Sequence, residues 1–537
     1  MSNKGNLMEL LRGVQRMSKD ASSSGGSIFS NLGLNAVNLE AQAKSLIPYN
    51  APFLKSTPRV VSDVGGKTVQ WKAVLTSSPG IVTLPEALRA ANMSFLEKDY
   101  SSAFKTTAVE VSVSQFAQQT GRGFQDNLGF AQFSALQTFL RAQDQQILCD
   151  GNSGPATVGG NGFALTTTST PVASLVADSS VLGSIPGSTE ISAFAVALTN
   201  FGVRAQADAS LNLEISGSAV KGLTPVLKLT NATGVEIDAS GGTAIVSAPS
   251  NVVETDSSHH AVKFVIPAML GAVGYALYVD ITDSSSPVSS DAYFAGIYPS
   301  NTIILKSIAG ITANQKLSDA SAEMLDTDLS YDVNAVDSYI AWALNWNTPP
   351  SGYAGFASYY VDLGGATLNG DGSGQINEFT TIGAYLYDNF KSAPDRILIS
   401  SQTVSGTSMR AEIQKELLLS GSSGAARLNF QSGASGQMSG TYDWSYEWAY
   451  SYDGMPKNLE IEVMPWLAPG QIIFETTRNP YPQFAGDIPA AFEVHCLLDT
   501  FSVLWPVVQY EQSLGIANFT ATKSYLPHVS AVLQNVG

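Results

Sequence analysis

Residues 101–151 read SSAFKTTAVEVSVSQFAQQTGRGFQDNLGFAQFSALQTFLRAQDQQILCDG, and this stretch decides the fold. In Val109, Val111 and Val113 apolar side chains alternate with Glu110, Ser112 and Ser114, the two-residue period of a half-buried strand. Thr120-Gly121-Arg122-Gly123 reads as a turn, because glycine reaches backbone angles at which a strand cannot continue. From Asp126 to Cys149 the period becomes helical, with Phe130, Phe133, Leu136, Leu140 and Ile147 on one face. No Gly or Pro falls between Ala131 and Cys149, and Asp150-Gly151 supplies a stop. At 1.5 Å per residue the helix is about 35 Å long, the dimension of a strut. Its apolar face, Phe133 and Leu140 included, is expected in a core.

A chain of 537 residues is too long for one ordinary core, so two to four domains are expected. Hydrophobic residues make up 44% and charged residues only 14%, which indicates a globular chain. So few charges fit either extensive subunit interfaces or a β-rich surface of Ser, Thr, Asn and Gly. The net charge of −17, with 28 scattered Lys and Arg, argues against phosphate binding as the main function. Cys149 and Cys496 lie in apolar settings and exclude a disulfide framework or a cysteine zinc module. No apolar run fits a signal peptide or a membrane span.

Around the deciding stretch, the first fifty residues are Ser-, Gly- and Asn-rich near residues 22–27, as in an extended arm. Within it Leu7, Leu11 and Val14 beside Lys4, Arg12, Arg16 and Lys19 fit a short docking helix or a frayed terminus. Val69, Trp71, Ala73 and Leu75 alternate with Thr68, Gln70, Lys72 and Val74 after Gly65-Gly66, as in a hairpin strand. Such a polar hairpin has little to bury within itself and is expected to lie on something else. Residues 156–187 are linker-like in composition. Short strands then follow at 191–198, 226–229, 244–246, 262–266, 275–281 and 302–305, the spacing of a β-sandwich. Tyr275 and Tyr278 should fall on opposite faces of one strand.

After Gly310, helices are expected at 333–346, 376–390 and 409–419, and strands at 396–400, 459–464 and 471–475. Long final strands are expected at 492–505 and 507–519, and this half should form one α+β unit with the segment before the sandwich. Tyr442, Trp444, Tyr446, Trp448, Tyr450 and Tyr452 alternate with small or charged residues, as in one strand with an aromatic face. That face fits packing, with a carbohydrate platform as the sharper alternative. Asn369-Gly370-Asp371-Gly372-Ser373-Gly374 resembles the start of a calcium loop. Its twelfth position is Thr380, where a bidentate Glu is needed, which favours a glycine-rich turn and leaves only Asp371 and Glu378 for a metal. Asp150 to Pro155 lacks the His and Asp partners of a serine nucleophile, since the four histidines are His259, His260, His495 and His528. Asp326, Asp328, Asp332 and Asp337 read as an exposed loop and helix start.

The order arm, hairpin from Pro52 to Lys105, returning strand and long helix resembles that of the major capsid proteins of tailed viruses of prokaryotes, the HK97-like fold. A second likeness lies in Val361-Asp362-Leu363-Gly364-Gly365, Gly370 to Glu378, and Ala393-Pro394-Asp395-Arg396-Ile397-Leu398-Ile399. This is the glycine-rich loop, helix and PDR strand of many such proteins. The segment from Pro267 to Val279 is similar to a strand of fibronectin-III or immunoglobulin-like modules. The resemblance implies an α+β, HK97-like chain with an N-terminal arm (1–52), an extended loop or β-hairpin (53–105), and a spine helix with the first part of a peripheral domain (106–187). An inserted all-β Ig-like sandwich (188–312), an axial domain with remaining peripheral elements (313–490) and C-terminal strands returning to the core (491–537) complete it.

It implies a structural, homo-oligomeric major capsid protein of a bacteriophage. Pentamers and hexamers of this protein would form an icosahedral capsid around viral double-stranded DNA that is near but not gripped. No enzymatic activity and no catalytic, cofactor-binding or metal residue is implied. The implied partner is the chain itself, with a scaffolding protein, a portal and decoration proteins as further partners open to the family, and no membrane. Location in the virion, after assembly in the host cytoplasm, follows. The alternatives are an encapsulin-type nanocompartment shell, and a virion surface protein that binds carbohydrate through its Ig-like domain. No scaffolding segment is expected to be cut from the N-terminus, and the insert is expected on the shell exterior.

Overall fold

A computed structural model describes residues 51–61, 65–77, 95–121, 126–149, 170–198, 200, 247–267, 272–281, 287–314, 316–317, 336–345, 357–370, 375–400, 403–404, 407–409, 412–413, 428–432, 438–442, 445–448, 457–480, 488–505 and 510–537. The N-terminal arm, Asp150 to Pro155, the strands expected at 226–229 and 244–246, and Asp326, Asp328 and Asp332 lie outside the described residues.

The first helix, α1 (Pro52–Ser56), starts on a proline and buries Phe53 and Leu54. Strand β1 (Arg59–Val61) follows, then β2 (Thr68–Ser77) and β3 (Phe95–Ala103), an antiparallel hairpin with Trp71 opposite Tyr100. The returning strand β4 (Lys105–Ser114) ends where the Ser114 hydroxyl accepts the Ala117 N–H at 3.2 Å. This cap opens α2 (Gln115–Gly121), so a helix leads into the turn expected at 120–123. Asp126 then caps α3 (Asn127–Cys149), its carboxylate accepting the Gly129 N–H at 3.1 Å.

The buried face of α3 differs from the apolar stripe read in the sequence. Phe133 is 53% exposed and Leu136 and Leu140 are only partly covered, whereas Phe139, Ile147 and Leu148 are buried. Burial begins at Ala135 and then takes in even Gln143, Asp144 and Gln145, because two layers sandwich the C-terminal half of the helix. On one side Ala135 and Phe139 meet Leu514 and Ile516, with Val109 and Val111 alongside. On the other Ile147 and Leu148 enter a core with Phe53, Trp342 and Phe492.

A two-sheet unit follows, made of β5 (Val172–Val176), β6 (Glu190–Leu198), β7 (Val253–Glu254), β8 (Ala261–Val265), β9 (Gly274–Asp280), β10 (Ala292–Tyr298) and β11 (Thr302–Leu305). Its sheets run β10-β9-β6-β7 and β11-β8-β5. Between them lie Ala173, Ile185, Ile191, Phe264, Tyr275, Leu277 and Ile303. The unit therefore starts before residue 188: β5 pairs with β8, and Ile185 is buried in a passage that reads as linker. Gly183 is required there, since a Cβ would sit 1.9 Å from the His260 carbonyl oxygen.

The chain continues through α4 (Tyr339–Asn345), β12 (Tyr359–Asp362), α5 (Asn377–Phe390) and β13 (Arg396–Ser400). Two small pairs come next, β14 (Thr403–Val404) with β15 (Thr407–Ser408), and β16 (Leu428–Ser432) with β17 (Met438–Tyr442). Then come β18 (Ser445–Trp448), β19 (Lys457–Met464), β20 (Ile472–Glu475), β21 (Phe492–Leu504), β22 (Glu511–Ser524) and β23 (Ala531–Gln534). One mixed sheet runs β12-β23-β20-β13-β19-β18, and another β1-β21-β22-β4. Helix α5 covers one face of the first through Phe379, Ile382 and Leu386 against Ile397, Ile399 and Phe474. Its other face puts Leu398, Ile473 and Val532 into the core shared with α3. Segments on both sides of the two-sheet unit thus build one α+β body.

The aromatic run is not one strand. β17 ends at Tyr442 beside β16, β18 starts at Ser445 beside β19, and Trp444, Tyr450 and Tyr452 lie outside the described residues. Trp448 is buried with its ring 5.7 Å from Phe474, so it packs a core.

Phe139→Ala should cost the subunit about 3–5 kcal/mol as a buried cavity, and Phe133→Ala within about 0.5 kcal/mol, because half of that ring is already in solvent. Urea unfolding of the two unassembled variants checks both values.

Candidate assembly surfaces

Three buried clusters fix α1 and the base of the hairpin to the body. The first is Asp144, on α3. Its Oδ1 accepts the Leu54 N–H at 2.6 Å and its Oδ2 accepts the Trp466 indole N–H at 2.6 Å. The side chain is fully buried, and burial pushes its pKa up to about 6 against these hydrogen bonds, which pull it down. The only hint in the sequence is a single carboxylate in Gln143-Asp144-Gln145-Gln146.

The second contact is the Pro394-Asp395-Arg396 passage. Asp395 accepts the backbone N–H groups of Thr477 at 3.0 Å and Arg478 at 2.8 Å. The Arg396 guanidinium pairs with Glu475, with Glu462 at 2.5 Å and with the Ser56 hydroxyl at 2.5 Å. Burial pushes Glu475 above the usual carboxylate range while Arg396 opposes the shift. Arg396 also lies over the Phe53 ring at 6.0 Å, so α1 is held from both sides.

The third contact fixes the hairpin. Trp71 stacks on Tyr100 at 5.5 Å and meets Trp342 at 5.9 Å, with Lys523 over the indole at 5.6 Å. Glu493 joins Lys523 at 3.4 Å and His495 at 2.7 Å. On the opposite face of the ribbon Lys72, Glu97 and Asp99 are largely exposed, Lys72 lying 3.8 and 3.6 Å from the two carboxylates. The base of the hairpin thus lies on its own body through Trp71 and Tyr100 and turns Lys72, Glu97 and Asp99 to solvent. Residues 53 and 54 belong to the core, so this segment cannot be removed whole.

The remaining motifs resolve into structural roles. Glu378 accepts the Asn369 N–H at 3.1 Å and its side-chain amide at 3.2 Å, tying the glycine-rich loop to the start of α5; Asp371 lies outside the described residues. His260 pairs with Asp178 at 2.6 Å and His259 with Asp256 at 2.8 Å at one end of the two-sheet unit. His528 is buried 4.6 Å from the Phe390 ring, and burial pushes its pKa down to about 3. Cys149 and Cys496 are buried and form no disulfide. Among the described residues no group of three His, Cys, Asp or Glu is placed to hold a metal, and no helix is long and apolar enough to cross a membrane.

The two-sheet unit is seated on the body, and not joined only at its ends. Tyr275 faces the inter-sheet core, while Tyr278, on the opposite face of β9, packs with Phe194, Phe294, Leu317 and Ala468. Asn200 accepts the Ala468 N–H at 2.6 Å. Gly365, at φ +87°, leaves room for Ser300, whose hydroxyl would lie 2.3 Å from a Cβ there.

No protein-family model matches the chain, and no curated protein does. Among solved structures it is similar to the capsid of a native GTA particle computed with C5 symmetry, at 7% identity over 96% of this chain and 100% of that one, with a TM-score of 0.38. The capsid of Myoviridae phage XM1 matches at 8% identity, 96% and 100% coverage and a TM-score of 0.38. A Mycobacterium phage Cain structure matches at 8% identity, 96% and 98% coverage and a TM-score of 0.32.

The raised pKa of Asp144 carries a sign. Between about pH 4 and 6 the folded chain binds a proton that the unfolded chain releases, so this group's contribution to stability is complete below about pH 4 and is lost as pH rises through 6. The stability of the parent relative to Asp144→Asn should therefore fall by about 2–3 kcal/mol over that window. Urea unfolding at closely spaced pH values reads it, and a flat difference excludes the shift. Arg396→Ala should cost about 3–5 kcal/mol by stranding Glu475, with Glu475→Gln restoring part of the loss in the same assay.

Proposed function

We propose that the chain is the structural major capsid protein of a tailed phage, with an HK97-like fold and an Ig-like insert. Its pentamers and hexamers form an icosahedral shell around double-stranded DNA in the virion, after assembly in the host cytoplasm. A separate scaffolding protein, a portal and decoration proteins are the further partners this role admits.

The observation that carries the reading is the hairpin. Ten-residue and nine-residue strands extend about 30 Å at the rise of a β-strand. One face is clamped at Trp71 and Tyr100, and the other turns Lys72, Glu97 and Asp99 to solvent. A two-stranded ribbon is marginal alone, and it gains a surface when copies pack in closed symmetry. The net charge of −17 suits a wall that encloses DNA without gripping it. The long helix and the shared core supply a rigid plate from which the ribbon can reach a neighbour.

Negative-stain microscopy of the expressed chain should show closed shells, and a discrete monomer at all concentrations would overturn the reading. Replacing residues 74–98 by a short Gly/Ser turn keeps Trp71 and Tyr100. That variant should retain the parent's melting transition and form no shells; normal shells would remove the hairpin from assembly.

A further inference from the structure

The two sheets of the insert meet different surroundings. The outer face of β10-β9-β6-β7 is covered by Leu317 and Ala468. The outer face of β11-β8-β5 carries rows set by the pairing register: Val172, Val265 and Thr302 in one, Ser174, Lys263 and Ile304 in the next. Val172 is 57% exposed and Val265 37% exposed. Solvent-facing strand positions ordinarily carry polar side chains, so a β-branched face of this kind is unusual. Its charges are Lys263 and, one residue beyond β11, Lys306. Neither side chain makes an ion pair among the described residues. The nearby carboxylate of Asp178 is already taken by His260, through the ring at 2.6 Å and the backbone N–H at 2.9 Å.

We propose that this face is an inter-subunit contact that docks on an acidic surface of another copy of the chain. The inference rests on the shell reading. Two lysines without an ion pair among the described residues lie on one face of a chain of net charge −17, whose surface in a second copy is the complementary one. Face-to-face packing of two identical sheets would oppose lysine to lysine, so the contact is head-to-side, the kind that closes into rings. Strand spacing and rise give the face about 200 Å², well under the roughly 800 Å² per partner of a stable pair. It works as one contact among many in an assembly. Strand addition at the β5 edge is blocked, because Asn251 donates to the Ala173 carbonyl at 2.9 Å and accepts its N–H at 2.8 Å. No aromatic or amide side chain lies in the two rows to grip a sugar, which favours a protein surface.

The test uses the full chain carrying Lys263→Glu and Lys306→Glu. Both side chains reach solvent, so the melting temperature of the unassembled subunit should match the parent. The protein concentration at which shells appear by light scattering should rise about tenfold, the equivalent of 1.4 kcal/mol per contact. Raising salt from 50 to 300 mM should weaken parent assembly and leave the variant nearly unchanged. Should the reversed variant fail to fold, Lys263→Gln with Lys306→Gln gives the same comparison with a smaller rise. Shells from parent and variant at the same concentration would overturn this contact and leave the shell reading standing. No shells from the parent would remove both. A poly-glutamate peptide held by the parent but not by the variant, with assembly unchanged, would assign the face to a different acidic partner and overturn the proposal.

Discussion

The arrangement of the body depends on one buried carboxylate. Asp144 accepts hydrogen bonds from Leu54 and from Trp466, residues that lie 90 and 322 positions away. Around it a single core gathers Phe53, Trp71, Ile147, Trp342, Met464 and Phe492 from segments scattered over the chain. Apolar packing alone is non-directional and would tolerate several arrangements of such segments. Two N–H groups aimed at one carboxylate admit only one, because either donor left without it would be buried and unpaired. Arg396 adds a second restraint on α1 from the other side, through Ser56 and the Phe53 ring.

That restraint sets where the hairpin starts. α1 is held at both ends of its single turn, β1 pairs in parallel with β21 from Arg59 to Val61, and Trp71 docks on Trp342 and Tyr525. α1, β1 and Trp71 are thereby tied to the body. The hairpin is tied to the core through these stacked rings and through the Lys523–Glu493–His495 group beside them.

The two-sheet unit follows a related logic. Its β9 strand is buried on both faces, with Tyr275 turned to the inter-sheet core and Tyr278 to the body. A module hung only from its ends would swing; one seated through Tyr278, Leu317, Ala468 and Asn200 has a fixed direction. Its remaining sheet face is therefore held at a defined angle to the body.

Local pattern was enough for most elements. Alternation in Val109, Val111 and Val113, the span from Asp126 to Cys149, the strands at 262–266, 275–281 and 396–400, and the opposed tyrosines of β9 were legible because backbone period and side-chain polarity are properties of adjacent residues. Which face of α3 is covered was not legible, and Phe133 lies in solvent while Asp144 lies in the core. Both facts depend on where two distant layers end, which no window of local sequence contains. The aromatic run from Tyr442 misled for the same reason, since its alternation is real but the pairing partner changes after Tyr442. The start of the two-sheet unit before residue 188 was hidden by a Thr- and Ser-rich composition that also suits an edge strand clamped by Asn251. By itself the sequence determined the elements, the acidity and the absence of a cysteine framework. Only the tertiary structure decided what each element rests on, because the donors, rings and sheet faces that complete a buried group come from residues tens to hundreds of positions away.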